Sequence, residues 1–360
     1  MEQFEHIVNR LRKVEEVKEI VSKEVRRINE SIFIDPNEEI PERKLIIPVN
    51  EEFRDGNIVG IDGGIIKASL HGLDLLVYRA VGVNFVYKNK KLEKIDYHPS
   101  SFPEPDRRTI IEALSEIDLA YCYNFIRQIK EIETAIECVE KFEPDMILLD
   151  GSVIPHYITK PENEFARKFY KMLIKKYKEF FEKSKNAIVS GVVEDSRGNK
   201  FCDILIRRIF GLIPEKLPKE SVEIISKSRD SNLLYYMLKK GERTCIFNYT
   251  CDPQHHPIIR EFGVKANEFM SFYVRTVEFD RPLRVDFIAN KDAIEIANKI
   301  SSFLIATSGN ATYGLPAILI EADQRAKLRL EDLENFYWDL INKAGNISIL
   351  SRLRREGRPF

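Results

Sequence analysis

Two short segments of this chain share one pattern: an unbroken apolar run ending in aspartate, with glycine next. Ile58-Val59-Gly60-Ile61-Asp62-Gly63-Gly64 is the first, and Met146-Ile147-Leu148-Leu149-Asp150-Gly151-Ser152 is the second. Runs of this kind suit strands buried on both faces at the centre of a sheet. Such a strand delivers its terminal carboxylate rigidly to the sheet's rim, and the glycine lets a ligand or phosphate approach the backbone. Asp-Gly also ends many strands as an ordinary turn, and either segment alone reads that way. Two together point to a shared site. Carboxylates on neighbouring strands repel unless a divalent cation lies between them, and hard oxygen donors suit Mg²⁺ or Mn²⁺.

The rest of the chain supplies the setting. Residues 2–32 read as one long amphipathic helix, with Phe4, Ile7, Leu11, Val14, Val21, Val25 and Ile28 at three- and four-residue steps and Lys18 interrupting the seam. That stripe can close onto the chain's own core or pair with a second copy. Pro36, Pro41 and Pro48 punctuate an irregular connection. Strands are expected at Asn57 to Ile61, Ile65 to Leu70 (a hairpin return), Leu73 to Val86 and Lys91 to Tyr97. A long helix is expected over about 109–141, then a buried strand at Met146 to Leu149, a Lys-rich helix over roughly 162–184 and a strand at Ala187 to Val193. A late hairpin spans Phe269 to Phe279 and Leu283 to Ile288, and helices at about 290–306 and 320–343 close the chain. Strands first, then helix–strand units, then closing helices predict an α/β fold, a mixed sheet with helices packed against it. The division is an N-terminal helix and connection over 1–48, one domain over 49–345 and a tail over 346–360.

Charge narrows the function. The net charge of -1 means that the molecule as a whole does not attract polyanions, so nucleic-acid binding needs a local basic lining or a bound cation. Arg197, Lys200, Arg275 and Arg284 are the candidates for phosphate contacts, because arginine forks match phosphate oxygens. The five cysteines include no Cys-x-x-Cys pair, which points to reduced, buried thiols in a cytoplasmic protein. Cys245, Cys251, His255 and His256 could be drawn as a zinc site, but their spacing fits no usual template. The first residues lack a basic-then-apolar leader, and no apolar run reaches the roughly 18 residues that span a bilayer, so no membrane contact is expected.

Taken in order along the chain, the two aspartate motifs and several later segments resemble the NurA family of DNA-repair nucleases. The family carries a GIDG-type strand end early and a DGS strand end in the middle, with a glutamate on the helix between them. Here that helix contains Ile129-Lys130-Glu131-Ile132-Glu133-Thr134-Ala135-Ile136, and Glu133, beside Ile132 and Ile136, is the chosen match. Gly191-Val192-Val193-Glu194-Asp195-Ser196-Arg197 resembles the family's strand leading into a polar turn. Phe272-Tyr273-Val274-Arg275 and Leu283-Arg284-Val285-Asp286-Phe287 resemble its late hairpin. Tyr313-Gly314-Leu315-Pro316 before Ile320-Glu321-Ala322-Asp323-Gln324-Arg325-Ala326 resembles its Tyr/Pro segment and closing helix. Relatives often have histidine in that helix; this chain offers Asp323, with Glu321 as a rival. The resemblance implies a ribonuclease-H-like core and Mn²⁺-dependent cleavage of DNA, with two ions possible and Mg²⁺ as an alternative. Asp62, Glu133, Asp150 and Asp323 would be ligands, and Tyr313 would orient a phosphate or water. It also implies 5′-to-3′ exonuclease and single-strand endonuclease activity in resecting DNA ends, a homodimer, and partnership with a hexameric ATPase of the HerA type.

Two other readings compete. Phosphotransferases of the actin and sugar-kinase type also set Asp-Gly strand ends around a nucleotide, but a second glycine-rich loop is missing here and Glu133 would have no role. A scaffold that has lost catalysis is supported only by Asp323 standing where histidine is frequent.

Overall fold

The computed structural model describes residues 2–31, 33–50, 55–155, 161–250, 252, 255–262, 268–289, 292–345 and 347–354. The chain begins with α1 (Glu2–Asn29) and β1 (Ile46–Pro48), followed by β2 (Gly56–Ser69), β3 (Asp74–Lys88), β4 (Lys91–His98) and β5 (Asp106–Ile110). Next come α2 (Glu116–Phe142), β6 (Met146–Asp150), α3 (Glu164–Lys183), β7 (Ile188–Val193), α4 (Lys200–Arg208), α5 (Ser221–Ser226) and α6 (Asp230–Met237). The C-terminal part holds β8 (Glu242–Thr244), β9 (Phe247–Asn248), α7 (Ile259–Phe262), β10 (Phe269–Arg275), β11 (Leu283–Ile288), α8 (Ala293–Thr307), α9 (Ala317–Ala326) and α10 (Leu330–Ala344).

All strands join one 11-stranded sheet, ordered β1-β8-β10-β11-β7-β6-β2-β3-β4, with β5 on β3 and β9 on β10. Among the described residues only the β2–β6 and β6–β7 pairings are parallel. The alternation of β2 sorts its side chains between two layers. Val59 and Ile61 pack with Phe125, Ile129 and Ile132 of α2 and with α3. Ile58 joins Leu148, Val192 and the apolar faces of α8 and α9. Burying each such side chain is worth roughly 1.5–3 kcal/mol before entropy is charged against it. A third cluster closes Val17, Val21, Val25 and Ile28 of α1 against α4, α5 and α6. Lys18 lies within this closed half, 5% exposed, its ammonium 2.7 Å from Glu15. Among the described residues no helix is long and apolar enough to cross a membrane.

Three boundaries differ from the sequence expectation, each for a local reason. The expected hairpin at Asp62-Gly63-Gly64 does not form: β2 runs unbroken from Gly56 to Ser69, because β3 pairs with it along that whole length. The helix expected from about 109 begins at Glu116. Residues 106–110 alternate and pair with β3 instead, and the Ser115 side chain accepts the Asp118 amide at 3.1 Å to fix the helix start. The single closing helix over 320–343 is split into α9 and α10 at residues 327–329. There Arg79 donates to the Ala326 carbonyl at 3.2 Å and to that of Lys327, and Asp332 accepts the Arg329 amide at 2.8 Å.

A carboxylate cluster at the C-terminal edge of the parallel strands

Asp62 and Asp150 are neighbours because of strand register. Ile61 pairs with Leu149 across the parallel β2–β6 ladder, so the next residue on each strand is an aspartate. Both follow the alternation that turns Ile58, Leu148 and Val192 toward α8 and α9. Asp150 is opposite Val192, and Glu194 follows the end of β7 on the same face. Asp323 of α9 borders the group from above. The edge where parallel strands end is where open α/β sheets bind ligands.

Glu131 enters from the other layer. It is carried on α2, 9% exposed, and lies under Gly63. A Cβ at position 63 would stand 2.6 Å from Glu131 Cγ and 2.8 Å from its Oε1, so only glycine leaves the space. The same helix rests on Gly82, where a Cβ would meet Cys138 Sγ at 2.2 Å. Glu131, Ala135 and Cys138 thus form the face of α2 that approaches the sheet most closely. Arg127, one turn earlier, donates to the Glu131 carboxylate and, at 3.3 Å, to the Gly63 carbonyl.

The charges are unbalanced. Burial, reinforced by Asp62 and Asp150 and opposed by Arg127, pushes Glu131 up to about 8. Burial together with Asp62, Glu194 and Asp323 pushes Asp150 up to about 7. Asp62 is raised by burial, despite the Gly63 amide donating to its Oδ1 at 2.7 Å. Glu194 is raised by burial too, and the Tyr313 hydroxyl donates to its two oxygens at 3.2 and 3.1 Å. Several acids share one guanidinium, a cost that a divalent cation would relieve. Among the described residues no three Asp, Glu, His or Cys side chains are arranged as they stand to hold a metal ion. The fit to a hard divalent ion therefore rests on the oxygen donor set and the missing positive charge.

The residues chosen from sequence are distributed unevenly around this cluster. Asp62, Asp150, Asp323 and Tyr313 border it. Glu133 does not: two positions after Glu131, it points outward and meets Lys176 of α3 at 3.2 Å. The rival Glu321 is also turned away, accepting from Tyr97 at 2.7 Å and Arg325 at 2.8 Å. Three of the four expected phosphate contacts are engaged inside the fold. Arg275 donates at 2.7 Å to the carbonyls of both Tyr235 and Leu238. Arg284 pairs with Asp286 at 2.8 Å and lies over Tyr249. Lys200 faces Glu39 at 3.4 Å. Arg197 alone is exposed, on the turn after β7. Of the drawn zinc set, Cys245 is fully buried, His255 is exposed beside Asp252 at 2.8 Å, and Cys251 lies outside the described residues.

Glu131 and Glu194, absent from the residues chosen from sequence, also belong to this cluster. The sequence held a signal for the first: Thr134, Ala135 and Cys138 recur on its side of the helix, small residues suited to a close approach. For Glu194, its place one residue past a buried strand matched the logic already applied to Asp150.

The strand order β4-β3-β2-β6-β7, flanked by helices and edged with acids, is that of a ribonuclease-H-like α/β protein with a long N-terminal helix. The chain belongs to the NurA family: the NurA domain model matches residues 56–328. The fold is similar to the crystal structure of the NurA nuclease from Sulfolobus solfataricus, with a TM-score of 0.59 and 16% identity over 96% of this chain and 98% of that one. It is similar to a structure of NurA with manganese, with a TM-score of 0.54 and 11% identity over 97% and 100% of the two chains. A NurA bound to dAMP and manganese matches with a TM-score of 0.50 and 13% identity, over 95% of this chain and 96% of that one. No curated protein matches the chain.

Proposed function

We propose that this protein is a divalent-metal-dependent DNA nuclease, with Mn²⁺ or Mg²⁺ held by Asp62, Asp150, Glu131 and Asp323. The observation that carries the reading is the level pairing of Asp62 and Asp150 on adjacent parallel strands, with Glu131 reaching up beneath Gly63. Glu131 takes the place first given to Glu133. A bound ion, or a pair of them, would supply the positive charge that an in-line displacement at phosphorus needs.

The chain's own groups do the rest. Rigid strands hold Asp62 and Asp150 so that little reorganisation accompanies binding. Arg127 keeps Glu131 turned toward the sheet, and because burial raises the Glu131 carboxyl, a bound cation would compete with its proton. Tyr313, anchored by Glu194, is placed to orient a phosphate oxygen. Arg197 remains the one originally chosen arginine with an exposed side chain for the DNA backbone.

The biological reading is resection of DNA ends in double-strand-break repair. The enzyme would act as a homodimer with 5′-to-3′ exonuclease and single-strand endonuclease activity, alongside a HerA-type ATPase in the cytoplasm. It rests on family membership. The test is degradation of linear DNA labelled at either end, with Mn²⁺, Mg²⁺ or EDTA and with or without such an ATPase. Loss of 5′ label first, abolished by EDTA, is expected. Metal-independent degradation, or none with either ion, would reject the proposal.

A further inference from the structure

Beyond the carboxylates, the molecule presents an aromatic ring that its own packing leaves in solvent. Phe102 is 64% exposed, yet the loop carrying it is fixed: Pro103 next to it is buried, and its carbonyl accepts Arg79 at 3.2 Å. The Arg325 guanidinium lies over both rings, 4.3 Å from the Phe102 centroid and 5.3 Å from that of Tyr97. Glu321 holds the assembly, accepting from Arg325 at 2.8 Å and from the Tyr97 hydroxyl at 2.7 Å. One side of Phe102 is therefore supported by a planar cation that is itself pinned.

The location matters as much as the stack. Arg325 lies on the flank of α9 opposite Asp323, so the Phe102 loop and the carboxylates border one helix from its two sides. The Ala326 carbonyl that Arg79 binds would lie 2.6 Å from a Cβ at Gly64, two residues after Asp62. The same Arg79 guanidinium thus ties the Phe102 loop to the edge that carries the carboxylates. An exposed ring on a rigid mount costs little ordering when a flat apolar partner stacks on it. Nucleobases are such partners, and every base has a suitable face whatever its identity.

We infer that Phe102, backed by Arg325, stacks an unpaired nucleobase of the DNA strand whose phosphate occupies the carboxylate edge. This deepens the nuclease reading and rests on it. The platform would select unpaired over paired substrate, since a base in a duplex keeps both faces occupied.

The test is a cycle in the full chain carrying Asp62→Asn to prevent cleavage. Single-stranded oligonucleotides with one abasic position, moved stepwise along the strand, are titrated against Phe102 and Phe102→Ala forms. One position should cost about tenfold in affinity with Phe102 present. Phe102→Ala should lose that factor on the intact strand and lose nothing more at the abasic position, while Phe102→Trp restores it. In the cleaving protein, Phe102→Ala should raise KM for single-stranded DNA about tenfold and leave kcat within about twofold. Additive losses, or an unchanged affinity, would overturn the stacking. So would a variant that only changes its oligomeric state, which would assign the ring to a contact between copies. If the cycle holds but no DNA is cut with any ion, the nuclease reading fails and the stacking stands. If DNA is cut and the losses are additive, the reverse holds. Failure to bind oligonucleotides at all would remove both.

Discussion

Asp62 and Glu131 make different demands on the protein, and mutation should separate them. Asp62→Asn keeps the shape and removes the charge, so cleavage should fall about a thousandfold, the several kcal/mol that a cation ligand supplies. The melting temperature without added metal should stay level or rise, because burial already penalises the ionised form. Near wild-type cleavage rates in steady-state assays would remove Asp62 from the site. Glu131 gives a pH signature. Its folded value, raised to about 8, lies above the ordinary carboxylate range, so the folded state holds the proton more tightly. That stability is fully present below the unfolded value and is lost as pH rises through about 8. Metal-free wild type should therefore melt at progressively lower temperature from about pH 5 to pH 8, and Glu131→Gln should flatten the slope. Parallel slopes in calorimetric scans would show that Glu131 is not the group responsible.

At the scale of elements, α2 and β2 are fitted to each other through glycine. Gly63→Ala places a methyl 2.6 Å from Glu131 Cγ, so the helix or the carboxylate must move. A loss of about 1–3 kcal/mol by denaturant titration is expected, together with impaired cleavage. Adding Glu131→Ala should recover the stability and leave the activity lost. If the double variant is no more stable than the single one, the contact is not what constrains that position. The same scale explains Arg275, which joins the end of β10 to α6. Its guanidinium satisfies the Tyr235 and Leu238 carbonyls, so Arg275→Ala should cost about 3 kcal/mol of stability. DNA affinity of the folded variant should be unchanged; a large affinity loss at full stability would return Arg275 to the DNA surface.

Across the whole molecule, α1 behaves as two halves. From Val17 onward its apolar positions are buried against the chain's own helices, whereas Phe4, Ile7 and Leu11 are 71%, 54% and 59% exposed. One stripe thus serves the core at one end and is left uncovered at the other. A second copy that buries the uncovered half would match the proposed homodimer. Replacing Phe4, Ile7 and Leu11 with serine should then shift the protein from dimer to monomer in light scattering without lowering the monomer's helix content. A dimer that persists at micromolar concentration would place the interface elsewhere.

The sequence by itself determined what repeats locally: two buried runs leading into Asp-Gly, of which only the second ends its strand, and the mixed sheet with covering helices. Those follow from apolar periodicity and short-range turn chemistry, which act within a few residues. Tertiary structure decided which acids meet. Glu131 and Glu133 differ by a 200° turn around α2, and only the glycine at 63 on another element shows which one the sheet admits. Glu321 and Asp323 are likewise turned to opposite sides of α9, and Tyr97 with Arg325 claims the first. Arg275 and Arg284, read as phosphate contacts, are internal braces for the same reason. A side chain's partner depends on what packs over it, and for Glu131, Glu321 and Arg275 that lies on another element of the fold.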